Sequence, residues 1–321
     1  MIKTILSVIL GCAALLGGQS ALAQTFPARP VTIVVPYPPG GLIDIVARQL
    51  QPRFQTELGQ PVIIENRAGA GGNVGAEVVA RAAPDGYMLL LANPSLAISP
   101  LIYPKLNYRP TEDFAYVGQY GTVPNVLVVH PSIPARNVQE FIAYVKKNPG
   151  RLNYGSPGYG TSPQMSSELF KAMTDTFIVH IPFRGSGPAQ AAMLGGEIQM
   201  MIDNLPPQLA HIKSGKVRAL GVTSQKRAAL LPDVPAIAET VKGYETFGWY
   251  SIVAPKGSPE AIMNKASAEV VKATKDPAFV NRLKTLGIEI VGGGRKELDE
   301  FRTSERRRLT ELVKESGVTI K

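Results

Sequence analysis

The chain has 321 residues, 45% of them hydrophobic, and a net charge of +9, about two domains' worth of chain with an ordinary core. Its one cysteine is Cys12, and His130, His180 and His211 lie far apart with no His-x-x-His or His-Glu-x-x-His pattern, which argues against cysteine zinc sites, a metal centre and thiolate chemistry. Lysines and arginines are spread along the chain, so the positive balance suits attraction of small anions rather than a nucleic-acid groove.

Residues 1–23 read as a secretory signal: Lys3 supplies the positive end, Ile5 to Leu16 the apolar stretch, and Ala21-Leu22-Ala23 an A-x-A cleavage site. The expected mature chain begins at Gln24, has no cysteine, and is exported. An uncleaved anchor and a lipoprotein at Cys12 are the alternatives. No later stretch approaches the roughly 18 apolar residues of a membrane span.

Val31 to Val35 predicts a strand. It breaks on Pro36, Pro38, Pro39, Gly40 and Gly41, and Leu42, Ile45, Val46, Gln49 and Leu50 at once fall at helical spacing. Such an elbow is a tight turn, or it holds bare N–H groups at a helix start where an anion sits. Val62 to Glu65 is a second strand and Met88 to Ala92 a third. Between them come a glycine loop, Arg67 to Asn73, with Asn73 as expected helix cap, and a turn at Asp85-Gly86. The alternation predicts β–α–β units and a largely parallel sheet.

The pattern restarts near Asn125. Val126 to Val129, Leu152 to Gly155, Phe177 to Pro182, Ile198 to Ile202 and Val217 to Val222 read as strands, Val138 to Lys147 and the run from Ser162 as helices. Phe247 to Pro255 is a last strand, followed by helices from Pro259 and Pro277 and a long one ending near Glu315. Arg306-Arg307-Arg308 lies on that helix, opposite Leu298, Phe301, Leu309 and Leu312, and reads as a solvated face. The expected organisation is signal 1–23, domain 1 from 24–124 and 248–321, and domain 2 from 125–247 inserted into it.

Four loops follow predicted strands, where open α/β sheets place ligands. They are Pro38 to Leu42, Arg67 to Asn73, "GSPGYGTSPQ" and "FRGSGPAQ". In the third, Ser156, Gly158, Gly160 and Thr161 precede a helix, and Thr161 with Gln164 has capping-box spacing. A carboxylate there would meet N–H groups and the helix dipole; an ordinary capped helix start is the alternative. In the fourth, Arg184 has the fork to hold a carboxylate, or is a surface arginine, and Gly185 leads into a helix. Asp203 closes the next strand, as a ligand contact or a helix cap. The G-x-G-x-x-G, phosphate-loop and G-x-S-x-G patterns all fail, and no nucleophile has a visible base.

Taken in order, "RPVTIVVPYPPGGLIDIVARQL", "NRAGAGGNVGAEVVARAAPDGY", "NYGSPGYGTSPQMSSELF", "HIPFRGSGPAQAAMLGGEIQMMIDNLPP" and "VRALGVTSQKRAALLPDVPAIAE" resemble the Bug family, the substrate-binding receptors of tripartite tricarboxylate transporters, over essentially the whole mature chain. The resemblance implies an α/β protein like type II periplasmic binding proteins, two domains on a hinge with the ligand between them. It implies a periplasmic, monomeric receptor without cofactor or enzyme activity, partnered by integral membrane transporter subunits. The implied ligand is a small carboxylate, held by Pro39, Gly40, Gly41 and Leu42 on one side and Ser156, Tyr159, Gly160, Thr161, Arg184, Gly185 and Asp203 on the other. Departures are Gln164 where the family commonly has His, Arg184 where Lys is common, and the bulky Tyr159. With Phe183, Tyr37 and Trp249, Tyr159 suggests an aromatic-lined pocket, so an aromatic carboxylate rivals an aliphatic dicarboxylate. A signalling subunit and an exported enzyme are the competing readings.

Overall fold

The computed structural model describes residues 26–318, so the signal segment and its cleavage site lie outside the described residues. The chain runs β1 (Val31–Val35), α1 (Leu42–Leu58), β2 (Val62–Asn66), α2 (Asn73–Ala80), β3 (Met88–Ala92), α3 (Ser95–Ile102) and β4 (Phe114–Val129). It continues with α4 (Val138–Lys147), β5 (Asn153–Ser156), α5 (Ser162–Thr174), β6 (Val179–Pro182), α6 (Ser186–Leu194), β7 (Met200–Asn204), α7 (Leu205–Lys213) and β8 (Arg218–Val222). The return is β9 (Phe247–Pro255), α8 (Glu260–Lys275), α9 (Pro277–Thr285), β10 (Glu289–Gly293) and α10 (Arg295–Ser316).

The strands join in the order β2-β1-β3-β9-β4-β7-β5-β6, with β8 and β10 also paired to β4. The ends are parallel: β1 with β2 and β3, and β5 with β6 and β7. The centre is antiparallel, because β9 runs against β3 and β4, and β4 against β7, β8 and β10. The sheet is therefore mixed rather than largely parallel. Consecutive β–α–β units force parallel neighbours, but β4 and β9 carry the chain between the two ends in opposite directions. Phe114 to Pro124 of β4 pairs with β9, and Asn125 to Val129 with β7 and β8. The sequence restart at 125 thus falls inside one strand, and Pro124 and Phe247 are cross-strand partners.

Helices cover both faces because each carries an apolar stripe. On α1, Leu42, Val46, Leu50, Phe54 and Leu58 are buried at helical spacing, and the helix stops at Gly59, left-handed at φ 67°, whose N–H bonds the Gln55 carbonyl. Two apolar clusters flank β1 and β3, and two more flank β4, β5 and β7. The long α10 serves both halves: Phe301 packs on the cluster around Trp249, while Leu309 and Leu312 join the cluster around Phe141 and Phe170. The expected cap of α2 is corrected. Gly72 is its N-cap, and the Asn73 side chain instead donates to the Ala70 carbonyl at 2.8 Å and accepts from the Tyr108 hydroxyl at 2.6 Å.

Candidate functional site

The C-terminal ends of β1, β3, β5, β6 and β7 each hand over to a helix or its leading loop, and these handovers meet. They enclose a cavity of about 70 Å³ between the two halves, room for a few waters or one small ligand. Leu42 and Ile43 start α1, Pro94 caps α3, Thr161 to Pro163 start α5, Ser186 to Pro188 start α6, and Asn204 caps α7; all line it. Five helix N-termini therefore face one space, two from one half and three from the other. Each carries a partial positive charge at its start, although Pro163, Pro188, Pro206 and Pro207 have no N–H to offer and the first N–H groups of α3 are bonded to Asn93 and Pro94. Among the described residues, none that lines this cavity is charged. Its remaining polar groups come from Tyr37, Asn93 and Tyr250.

The elbow that ends β1 is fixed from beneath. The buried Asp44 carboxylate accepts from the Gly40 N–H at 3.0 Å, from Arg48 Nε and Nη2 at 3.0 Å, and from Asn66 Nδ2 at 2.9 Å. Burial pushes its pKa up, but these donors outweigh it and hold the carboxyl below its ordinary range. The Tyr37 hydroxyl donates to the Gly71 carbonyl at 2.8 Å and lies 2.6 Å from Ser95 Oγ, tying the elbow to the glycine loop and to α3.

The facing loop, 156 to 161, is held by its own hydroxyls. Thr161 Oγ1 donates to the Gly158 carbonyl at 2.8 Å and accepts from Gln164 N–H at 3.3 Å, while Gln164 Oε1 accepts from Gly160 N–H at 2.7 Å. The capping-box pair of the sequence is present with its return bond moved one residue back, to Gly160. Ser156 Oγ lies 2.7 Å from His180 Nε2 and accepts from Gly158 N–H at 3.2 Å. Burial, then the Lys171 charge, holds His180 down at about 4, so the ring is neutral at pH 7. This Ser–His pair is not exposed as a nucleophile, because Ser156 is fully buried and its hydroxyl is committed inside the loop.

Of the residues singled out in the sequence, Pro39, Gly41, Leu42, Thr161 and Gly185 line the cavity together. Gly40 adjoins it, with its N–H bonded to Asp44. Ser156 and Gly160 stand behind the loop surface. Asp203 is fully buried one residue before the lining Asn204; its carboxylate accepts from Asn204 N–H at 2.8 Å, Gln208 Nε2 at 3.2 Å and Ser186 Oγ at 3.3 Å, and burial raises its pKa. Tyr159 and Arg184 line a neighbouring cavity of about 210 Å³ with Phe183 and Tyr103. The four aromatic residues therefore do not make one wall. Trp249 lines the first cavity and Phe183 and Tyr159 the second, while Tyr37 lines both, so three of the four meet in the second. The Trp249 indole N–H is committed to buried Glu305 at 3.0 Å. Asn93 and Asn204, absent from the sequence-derived set, line the first cavity; Asn93 follows β3 and Asn204 ends β7, and that position at a strand's C-terminal end is the signal that could have found them.

The two halves touch here. A Cβ placed on Gly71 would fall 1.9 Å from the Tyr159 carbonyl oxygen, and one on Gly185 would lie 3.0 Å from Pro38. Among the described residues no group of three or more His, Cys, Asp or Glu is placed to hold a metal, and no helix is long and apolar enough to cross a membrane.

The family of tripartite tricarboxylate transporter receptors matches residues 46–318. BugT of Bordetella pertussis is 37% identical over 304 residues, covering 93% of each chain. A Pseudomonas protein from the tcbD-tcbE intergenic region is 38% identical over 313 residues, 96% of this chain and 93% of that one. Among solved structures, an R. palustris protein with adipate has a TM-score of 0.89 at 34% identity, over 92% of this chain and 99% of that one. The periplasmic binding protein BugD scores 0.87 at 34%, over 92% and 100%. MatC from Rhodopseudomonas palustris with bound malate scores 0.82 at 32%, over 90% and 100%.

Proposed function

The chain belongs to the tripartite tricarboxylate transporter receptor family, a family of periplasmic solute-binding proteins, and from that premise we propose that it captures a small carboxylate between its halves and delivers it to integral membrane transporter subunits. One observation carries the ligand class: five helix N-termini converge on a small cavity whose lining has no charged side chain. Such a site favours an anion chiefly through the helix dipoles, each worth about 0.3–1 kcal/mol, helped by the N–H groups that the prolines leave at the starts of α1, α5 and α6. Dipoles come from both halves, which suits a ligand charged at both ends.

An aliphatic dicarboxylate is the favoured ligand. The cavity is small, and the similar R. palustris protein and MatC were solved with adipate and malate. The contact set is Pro39, Gly41, Leu42, Thr161 and Gly185 with Asn93, Ser186 and Asn204, and Asp203 stands behind as their positioner. The two domains are 24–124 with 248–321, and 125–247, turning about the β4–β9 pair at Pro124, a residue that gives the ladder no N–H. The mature, monomeric protein is released into the periplasm after cleavage at Ala23.

Thermal unfolding of residues 24–321 against aliphatic mono-, di- and tricarboxylates, acidic amino acids and aromatic carboxylates tests the reading. A ligand at about 100 times its Kd adds about 2.7 kcal/mol, so aliphatic dicarboxylates should raise the midpoint clearly. A panel without any shift would refute the carboxylate reading. Co-purification with transporter subunits, rather than with a membrane kinase, separates delivery from sensing.

A further inference from the structure

A larger cavity, of about 450 Å³, lies away from the cleft, and no residue lines both. Its walls are Leu96, Pro100 and Leu101 of α3, Tyr116 of β4, and Arg302 and Arg306 of α10. The two arginines are four apart on one helix and so share a face. Arg302 is fixed. Its Nη2 donates to Asp299 at 2.8 Å, its guanidinium lies 4.3 Å over the Tyr116 ring, and its Nε is buried with no hydrogen-bond partner among the described residues. Arg306 is exposed and makes no ion pair among the described residues, whereas its neighbour Arg308 is tied to Glu305. Asp299 balances one of the two cations, which leaves one positive charge at the mouth of an apolar chamber.

We propose that this cavity is a second ligand site, taking a monocarboxylate with an apolar body, its head group between Arg302 and Arg306 and its body along Leu96, Pro100 and Leu101. The chemistry differs from the first cavity of the cleft, which has converging helix starts and no charged side chain in its lining. Here the exposed guanidinium of Arg306 donates to the carboxylate, beside the positive charge of Arg302. A purely apolar occupant would leave the charge of Arg306 unmatched. A dicarboxylate would bring its second charge against the α3 wall.

Octanoate is the probe, with octanol as its uncharged counterpart, titrated by calorimetry into residues 24–321. Octanoate should saturate and octanol should not. Arg306→Gln, an exposed residue with no ion pair to lose, should weaken octanoate about tenfold, the loss of one charge-assisted contact. The same variant should leave the dicarboxylate midpoint shift unchanged. Gly71→Ala, altered only at the cleft, should keep octanoate binding. Three results overturn the proposal: no saturation by octanoate, equal binding in Arg306→Gln, or loss of octanoate in Gly71→Ala, which would place the probe in the cleft.

Discussion

Replacing Gly71 by alanine should separate folding from ligand capture. The residue sits at φ +65°, so any side chain carries a left-handed penalty of about 1–2 kcal/mol, with or without ligand. The added Cβ would also fall 1.9 Å from the Tyr159 carbonyl oxygen of the opposite half. Contacts below 3.0 Å are not tolerated, so the loops must part by at least 1.1 Å (3.0 minus 1.9). Parting them gives up the Tyr103 hydroxyl's 3.5 Å contact with the Tyr159 carbonyl and the meeting of the loops around Gly71 and Tyr159. At about 0.5–1.5 kcal/mol for each of these two, the ligand-bound form should lose about 1–3 kcal/mol, a roughly fivefold to 150-fold weaker Kd. Calorimetric titration with the best dicarboxylate of the panel measures this. Gly59→Ala is the control: φ is +67° and nothing lies within 4 Å of its Cβ, so it should lose similar stability and no affinity. A Gly71→Ala protein that binds as tightly as the parent would refute the idea that these loops meet in the bound form.

His180→Gln should flatten the acid limb of stability. The folded ring holds its proton only near pH 4 against an ordinary 6.5. Between these values the unfolded chain binds a proton the folded one refuses, so this contribution is complete above 6.5 and is lost as pH falls toward 4, at up to about 1.4 kcal/mol per pH unit; urea midpoints from pH 4 to 7 check it. Asp44→Asn keeps the shape but weakens the bonds to Gly40 and Arg48, and should cost about 1–3 kcal/mol of stability and loosen ligand binding through the elbow. Glu305→Ala strands the Trp249 N–H and Arg308; chemical denaturation should show a loss of about 3 kcal/mol, while Glu305→Gln, which can still accept from Trp249, should lose less.

The parts of this molecule that sequence patterning reveals are those where local chemistry and burial agree. The break after Val35, the stripe of α1 and the Thr161–Gln164 start of α5 are such places, since the strand end, the apolar period and the cap all lie within a few residues. What stays hidden is set from a distance. Helix α3 reads SLAISPLI, apolar on nearly every side and with Pro100 inside, so it shows no amphipathic period; it is buried between α10 and the sheet. The first part of β4 and all of β10 are stitched by antiparallel pairing to strands far away in the chain. The side chain of Trp249 is decided by Glu305, 56 residues later. Tyr159 falls in the second cavity rather than the first, where the chain turns at Gly158 and Gly160 through positive-φ backbone that no side-chain pattern announces.

In the proposed reading, a ligand cavity lined by dipoles instead of cations, with Arg184 only in the cavity beside it, has a mechanical consequence. A lysine or arginine beside the ligand would hold it whether or not the halves met, because a full charge acts over many ångströms. A helix dipole is effective only within its first turn. The starts of α1 and α3 come from one half and those of α5, α6 and α7 from the other, so an open cleft offers the ligand two or three of the five, and only the closed one offers all. That difference between the two forms is what a ligand needs in order to shift the balance toward closure. It also sets a limit: with about 0.3–1 kcal/mol from each dipole, the two or three gained on closing supply about 0.6–3 kcal/mol, so the contacts between the halves, Tyr103 with Tyr159 among them, must leave the unliganded halves nearly balanced for the solute to tip them.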